Sequence, residues 1–190
     1  MRIGLLGGSF NPAHAGHRHI IELARRRLRL EQVWLLVSPG NVLKPQRGMA
    51  PFDQRVASAH GIADGRRVIA SKMEAVFGTR YTIDTLRRLL RQFPRVCFVW
   101  LMGADILEQL PRWHRWLEFV HRIRIAVMPR PGYNFRALSS RAAHRFAQAR
   151  RPARSAAFLC DTAAPAWVFL CAPQHGASAT AIRASEGVKP

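Results

Sequence analysis

The sequence lacks any apolar stretch long enough to cross a membrane. A transmembrane helix needs roughly 20 consecutive apolar residues, whereas the longest apolar runs in these 190 residues have the length of a strand. The run from Met1 to Gly8 is also shorter than the apolar core of a secretion signal. With 48% hydrophobic residues the chain can bury a sizeable core. We therefore expect one domain over residues 1–190, with no membrane partner.

Cysteine is scarce as well. Cys97, Cys160 and Cys171 are odd in number and form no Cys-x-x-Cys pair, so the sequence predicts neither a disulfide framework nor a thiolate metal site. Cys97 and Cys171 are expected to be buried as small apolar residues. This use of cysteine favours a cytoplasmic, reducing location.

Acidic residues and lysines are few, and arginine takes their place. Eleven Asp and Glu stand against thirty Lys and Arg, which gives a formal net charge of +19, and all but three of the basic residues are arginine. Such a charge attracts polyanions and phosphorylated molecules. The arginines are dispersed and accompany no recognisable nucleic-acid motif, so we interpret most of them as a coding bias and expect no specific nucleic-acid partner.

Apolar strands alternate with amphipathic helices along the chain. Strands are predicted over residues 2–6, 33–38, 68–71, 96–102, 123–128 and 167–171. Helices are predicted over residues 17–28, 53–62, 82–92, 113–120 and 138–149. Continuous apolar strands separated by helices are typical of a parallel sheet covered on both faces, so we predict a doubly wound, mainly parallel α/β fold. Ligands of such folds bind beyond the carboxyl ends of the strands.

The turn after the first predicted strand is the most informative segment. It reads Gly7-Gly8-Ser9-Phe10-Asn11-Pro12-Ala13-His14-Ala15-Gly16-His17 and leads into a helix. Glycine lets backbone amides approach an anion, and the amides at a helix start favour negative charge. His14 and His17 are spaced so that both imidazoles can point at one phosphate. A metal pair is the alternative, but no Cys, Asp or Glu lies nearby in sequence to complete such a site.

This turn resembles the signature G-G-[ST]-F-[DN]-P-x-H-x-G-H of the nucleotidylyltransferase superfamily, whose members join an adenylyl or cytidylyl group to a phosphate. Residues 177–183 resemble the family's second motif, I-S-[SA]-T-x-[IV]-R. The resemblance implies a Rossmann-like nucleotidylyltransferase fold in which His14 and His17 are catalytic. It also implies an ATP site formed by residues of both motifs and of a third segment: Gly7, Gly8, Ser9, Phe10, His14, His17, Gly103, Asp105, Ser178, Thr180 and Arg183.

Motifs in the middle of the chain are similar in order and spacing to those of bacterial nicotinate-nucleotide adenylyltransferases. They are residues 39–44 (PGNVLK), 81–86 (YTIDTL), 103–105 (GAD), 113–116 (WHRW) and 129–133 (PRPGY). The resemblance extends from Arg2 to Arg183. It implies that nicotinate mononucleotide is bound by residues of these motifs: Lys44, Thr82, Asp105, Trp113, His114 and Arg130.

The resemblance also implies roles within this second set. Lys44 would meet a phosphate, and Asp105 would accept hydrogen bonds from ribose hydroxyls. Thr82 and the backbone near Trp113 and His114 would hold the nicotinate carboxylate, while the Trp113 ring stacks on the pyridine ring. We expect the neighbouring Trp116 to pack between helix and sheet instead.

The implied reaction transfers the adenylyl group of ATP to nicotinate mononucleotide, giving nicotinate adenine dinucleotide and pyrophosphate in NAD biosynthesis. Mg²⁺ would arrive with ATP, held mainly by phosphates and water, so no protein metal site is expected. Two alternatives stay open. One is an adenylyltransferase for phosphopantetheine or another small phosphate, and the other is a basic nucleic-acid-binding module, motivated by the +19 charge. The sequence is compatible with a monomer or a homodimer.

Overall fold

The computed structural model describes residues 1–40 and 48–173, together with Ala179 and Arg183. The strands are β1 (Arg2–Gly8), β2 (Gln32–Val37), β3 (Val68–Ser71), β4 (Cys97–Gly103), β5 (Arg124–Met128), β6 (Arg150–Arg151) and β7 (Ala166–Phe169). They form one sheet in the order β3-β2-β1-β4-β5-β7-β6, and each neighbouring pair is parallel. The predicted doubly wound parallel sheet is therefore confirmed.

Helices cover both faces of this sheet. The α-helices are α1 (Ala15–Leu28), α2 (Phe52–His60), α3 (Met73–Val76), α4 (Thr82–Gln92), α5 (Ala104–Gln109), α6 (Trp116–Arg122), α7 (Asn134–Leu138) and α8 (Arg141–Arg145). Segments of 3-10 helix cover Leu110–Arg112, Ala147–Ala149 and Ala153–Asp161. Among the described residues, no helix combines the length and the apolarity that a membrane crossing requires.

The two faces of the sheet carry separate apolar clusters, and β4 contributes to both. Phe98, Trp100 and Met102 pack into the cluster that includes the apolar face of α4. Val99 and Leu101, which alternate with them, pack into the cluster on the α1 side. Successive side chains of a strand point to opposite faces. The unbroken apolar run of β4 is thus explained by burial on both faces.

Helix α4 begins and ends where the sequence predicts. Its buried residues Ile83, Leu86 and Leu89 form the predicted apolar stripe against the sheet. Helix α6, by contrast, begins at Trp116 and not at residue 113, because Arg115 adopts a left-handed conformation with φ of 52° and interrupts the helical backbone.

The predicted helix over residues 138–149 is wrong. Helix α7 ends at Leu138, and α8 starts a new helix three residues later. Ser140 is extended and its Oγ accepts a hydrogen bond from the amide of Ala143 at 3.3 Å, so it caps the second helix. Helices α3 and α5 and the two-residue edge strand β6 were not predicted from the sequence. Trp116 packs edge-on against Phe146, as expected of a packing residue.

Two predictions about cysteine are corrected. Cys97 and Cys160 form a disulfide that joins the start of β4 to the 3-10 segment Ala153–Asp161. The partners are 63 residues apart in sequence, so only the packing of that segment against the sheet brings them together. Cys171 is exposed and not buried. The cysteine content therefore no longer supports a reducing compartment.

Candidate active site

The candidate site lies where the strand order of the sheet reverses. The chain runs outward from β1 through β2 to β3, and β4 then returns to the other side of β1. In doubly wound sheets this reversal opens a crevice at the carboxyl ends of the two central strands. Those ends are Gly8 and Gly103. The glycine-rich turn and the segment around Asp105 therefore meet at one edge of the sheet, as the motifs required.

The glycine-rich turn is held closely against the core. A Cβ atom at Gly7 would lie 2.8 Å from the ring of Trp100, and one at Gly8 would lie 3.3 Å from the ring of Phe10. Phe10 is buried and adopts a left-handed backbone with φ of 49°, a conformation that costs a bulky residue about 1–2 kcal/mol. Left-handed residues within such turns let successive amides face an anion. The left-handed residue at Phe10 thus gives the turn a backbone whose amides can face an anion.

His14 and His17 cap the start of α1 reciprocally. Nδ1 of His14 accepts a hydrogen bond from the amide of Gly16 at 3.1 Å, and Nδ1 of His17 accepts one from the amide of His14 at 3.2 Å. Their ring centroids are 4.0 Å apart. Because Nδ1 is an acceptor in each ring, the neutral imidazole carries its proton on Nε2. The capping therefore selects the tautomer in which Nε2–H is a hydrogen-bond donor.

Arg183 reaches the first turn from the far end of the chain. Its Nη1 donates to the carbonyl oxygen of Asn11 at 2.5 Å. The Asn11 side chain is buried and joins the turn to the segment before α2, donating to the carbonyl of Gly48 at 3.0 Å and accepting from the amide of Ala50 at 3.2 Å. Three other predicted site residues, Lys44, Ser178 and Thr180, lie outside the described residues.

Asp105 and Arg130, which lie in different motifs and were both assigned to nicotinate mononucleotide, form an ion pair. Nη1 of Arg130 donates to Oδ2 of Asp105, and Asp105 is buried at the start of α5. The other carboxylate oxygen, Oδ1, is buried without a hydrogen-bond partner among the described residues. A Cβ atom at Gly103 would lie only 2.5 Å from this oxygen. The glycine therefore leaves room for the carboxylate beside the crevice, and Oδ1 is a buried acceptor that no described residue satisfies.

The residues predicted to hold the pyridine ring share one neighbourhood. Thr82 is the first residue of α4, and the ring of the preceding Tyr81 stacks on His114 with centroids 4.3 Å apart. Trp113 is half-buried and packs edge-on against Trp100, which also contacts Gly7. The turn before α6 and the start of α4 are thus brought together beside the glycine-rich turn. Apart from the motif that contains Tyr81, nothing in the sequence indicated that its ring would stack on His114.

Sequence reasoning missed two buried charged residues at this edge. Arg55 in α2 is 3% exposed, and its side chain bonds the carbonyls of Ser9 and Ser38. The burial of Arg55 could have been predicted, because the residue lies on the apolar face of α2, next to Val56. Glu74 in α3 is 8% exposed. Burial raises the pKa of Glu74 to about 7, although a hydrogen bond with Ser38 opposes the shift.

The fold and this crevice together define a nucleotidylyltransferase. A family model described as cytidylyltransferase-like matches residues 5–185. Among solved structures, nicotinic acid mononucleotide adenylyltransferase of Plasmodium falciparum complexed with APC has a TM-score of 0.70 and covers 96% of this chain and 82% of its own, at 14% identity. At that identity the likeness shows the shared fold.

Curated relatives define the branch of this class. A protein of Gluconobacter oxydans named "Probable nicotinate-nucleotide adenylyltransferase" is 54% identical over the whole chain and 97% of its own length. A protein of the same name from Methylorubrum extorquens is 51% identical over 96% of this chain and 99% of its own. The chain therefore belongs to the nicotinate-nucleotide adenylyltransferase family, which consists of nucleotidyltransferase enzymes.

Proposed function

We propose that this enzyme transfers the adenylyl group of ATP to nicotinate mononucleotide, releasing pyrophosphate and forming nicotinate adenine dinucleotide. The observation that carries the proposal is the reciprocal capping of His14 and His17 at the carboxyl end of β1. It fixes two imidazole donors beside a glycine-rich turn whose backbone suits a phosphate. The sequence identity to the relatives, over nearly their full length, supports the choice of substrates.

The chemistry needs alignment more than proton transfer. A 5′-phosphate oxygen of nicotinate mononucleotide forms a bond to the α-phosphorus of ATP, and the bond from that phosphorus to the bridging oxygen of the β-phosphate breaks. The attacking phosphate is already an anion at neutral pH, so no general base and no covalent enzyme intermediate are required. The amides of Gly7, Gly8, Ser9 and Phe10, with Nε2–H of His14 and His17, would neutralise the charge that develops on the α-phosphate.

Other residues would hold the leaving group and the ribose. Arg183, whose guanidinium lies against the carbonyl of Asn11, would bind the β- and γ-phosphates together with Ser178 and Thr180. Asp105 would accept a ribose hydroxyl on Oδ1, the buried oxygen that no described residue bonds. The absence of a side chain at Gly103 allows this approach.

The nicotinate side of the crevice would be formed by the remaining set. Trp113 would stack on the pyridine ring. Thr82 and the backbone near His114 would hold its carboxylate. Lys44 would bind the mononucleotide phosphate, and Arg130, already bound to Asp105, would add a second cation there.

Adenylyl transfer from ATP implies a divalent cation, and we propose Mg²⁺ bound to the ATP phosphates. The described residues contain no group of three or more His, Cys, Asp or Glu placed to hold a metal ion. Mg²⁺ that binds together with a nucleotide commonly keeps phosphate oxygens and water as its ligands. A cytoplasmic location is part of the proposal, since ATP is an intracellular substrate.

The substrate proposal is tested by measuring pyrophosphate release from Mg-ATP with three acceptors under identical conditions. Nicotinate mononucleotide should give a much higher kcat/KM than nicotinamide mononucleotide, because only the former presents a carboxylate to the start of α4. Phosphopantetheine should give none. A preference for phosphopantetheine, or turnover with none of the three acceptors, would overturn the proposal.

The role of the histidines is tested by His17→Ala with His60→Ala as its control. His60 is an exposed imidazole at the end of α2, and that end points away from the carboxyl edge of the sheet. Loss of a transition-state hydrogen bond costs about 10²- to 10³-fold in kcat, so His17→Ala should fall by this factor and His60→Ala should not. Near-normal kcat in folded His17→Ala would show that His17 does not contribute to catalysis.

A further inference from the structure

Arg55 is a buried cation that pairs with no carboxylate among the described residues. It is 3% exposed within α2, and none of the ion pairs between described residues includes it. Burial lowers the pKa of its guanidinium. Burying a charge is costly unless hydrogen bonds compensate for its lost hydration, so the bonds of this side chain must offset that cost.

Among the described residues, the guanidinium bonds backbone carbonyls, which come from three segments around the crevice. Nη1 donates to Ser9 at 2.9 Å and to Ser38 at 2.6 Å. Nη2 donates to Pro39 at 3.1 Å, and Nε donates to Ala50 at 2.9 Å. One side chain thus joins the glycine-rich turn, the loop that follows β2 and the segment that leads into α2. Arginine presents its donors from three separate nitrogens, whereas the three donors of lysine share one nitrogen, so lysine cannot reach all of these carbonyls.

The bond to Ser9 controls the orientation of a peptide in the phosphate-binding turn. In a trans peptide the carbonyl and the following N–H point in opposite directions. Fixing the Ser9 carbonyl on Arg55 therefore directs the amide of Phe10 away from α2. Phe10 is the residue with the left-handed backbone, and such residues give a turn its anion-binding concavity. Arg55 acts on the turn from behind, where a substrate phosphate does not reach it.

We propose that Arg55 is a positioning residue for adenylyl transfer, holding the glycine-rich turn and the loop after β2 in the arrangement that receives the substrate phosphates. The inference rests on the proposed function of this crevice. The positive charge of Arg55, which no carboxylate of the described residues pairs, adds to the effect, because a charge shielded from solvent acts on phosphates more strongly than one at the surface.

The test compares Arg55→Met, which removes the charge and every donor, with Arg55→Lys, which keeps the charge and cannot span the three segments. Arg124→Met is the matched control. Arg124 is a half-buried arginine whose Nε donates to the carbonyl of Thr162 at 2.7 Å, and it begins β5 at the opposite edge of the sheet. Each variant is characterised by its unfolding transition, by steady-state kinetics and by titration with a non-hydrolysable ATP analogue.

A misplacement of about 1 Å in a catalytic arrangement can cost 10²-fold in rate. We expect kcat/KM for ATP to fall by about 10²-fold in Arg55→Met and by about tenfold in Arg55→Lys, with weaker binding of the analogue in both. Arg124→Met should lose stability while its kinetic constants stay within about threefold of the wild type.

A purely structural role gives a different result. If Arg55→Met and Arg55→Lys lose stability but keep wild-type analogue affinity and kcat/KM, the inference is wrong. Should Arg55→Met fail to fold, Arg55→Lys decides the question by the same criteria. If the wild type releases no pyrophosphate with nicotinate mononucleotide, the proposed function fails separately, and the analogue affinity of the variants still tests Arg55.

Discussion

The buried carboxyl of Glu74 makes a quantitative prediction about stability and pH. The pKa of Glu74 rises from 4.5 to about 7 in the folded protein because the side chain is desolvated. The folded state thus favours the protonated form, whereas the unfolded chain loses the proton near pH 4.5. Below pH 4.5 both states hold the proton and the group has no effect. Between pH 4.5 and 7 the free energy of unfolding falls as pH rises, and above pH 7 the loss is complete.

The size of the effect follows from the shift. One pKa unit corresponds to 1.36 kcal/mol, so ionised Glu74 costs about 3 kcal/mol of stability above pH 7. Glu74→Gln replaces the carboxyl by a neutral group of the same shape. We expect this variant to be more stable than the wild type by up to about 3 kcal/mol at pH 8. At pH 4.5 the two proteins should differ little.

Urea unfolding at pH 4.5, 6 and 8 measures this difference. Removing one acid also raises the net charge of a chain that already carries +19, so Glu22→Gln serves as the control. Glu22 is exposed on α1 and lies 4.0 Å from Arg26, and its removal should leave the pH dependence unchanged. Equal pH slopes for the wild type and Glu74→Gln would refute the reasoning, since burial would then not perturb this carboxyl.

Two further predictions concern the disulfide and the crevice. Reduction of the bond between Cys97 and Cys160, which closes a loop of 63 residues, should lower the free energy of unfolding by about 4 kcal/mol. Equal urea midpoints with and without dithiothreitol would contradict this prediction. As the control, Cys97→Ser should not respond to the reductant. Gly103→Ala places a methyl group against Asp105 Oδ1, an atom that can move, so the thermal midpoint should change little while kcat/KM falls about tenfold or more. If folded Gly103→Ala keeps the wild-type kcat/KM, Asp105 has no role in substrate binding.

Much of the fold was readable because its pattern is local. Helix α4 has the same bounds in the sequence prediction and in the structure, because its apolar residues recur at helical spacing. The central strands were found for the same reason, and β4 was recognised as buried on both faces. The prediction failed over residues 138–149, where Ser140 caps a second helix. A capping hydroxyl inside a helix-forming composition gives too weak a signal to divide the segment.

The candidate site was predictable where one short segment contains all of its parts. His14, His17 and the glycines lie within eleven residues, so their spacing and the start of α1 already bring them together. The ion pair of Asp105 with Arg130 joins two loops at the ends of neighbouring strands. The motifs named both residues, but nothing in their spacing indicated that they would pair.

By itself, the sequence predicted the central strands, the bounds of α4, the parallel sheet and the glycine-rich turn after β1, because each depends on residues close together in the chain. Only the tertiary structure decided the partners of Arg55, the disulfide between Cys97 and Cys160 and the desolvation of Glu74. Those features depend on which distant segments share the same few ångströms. Burial and electrostatic interactions act over that distance in space, whatever the separation along the chain.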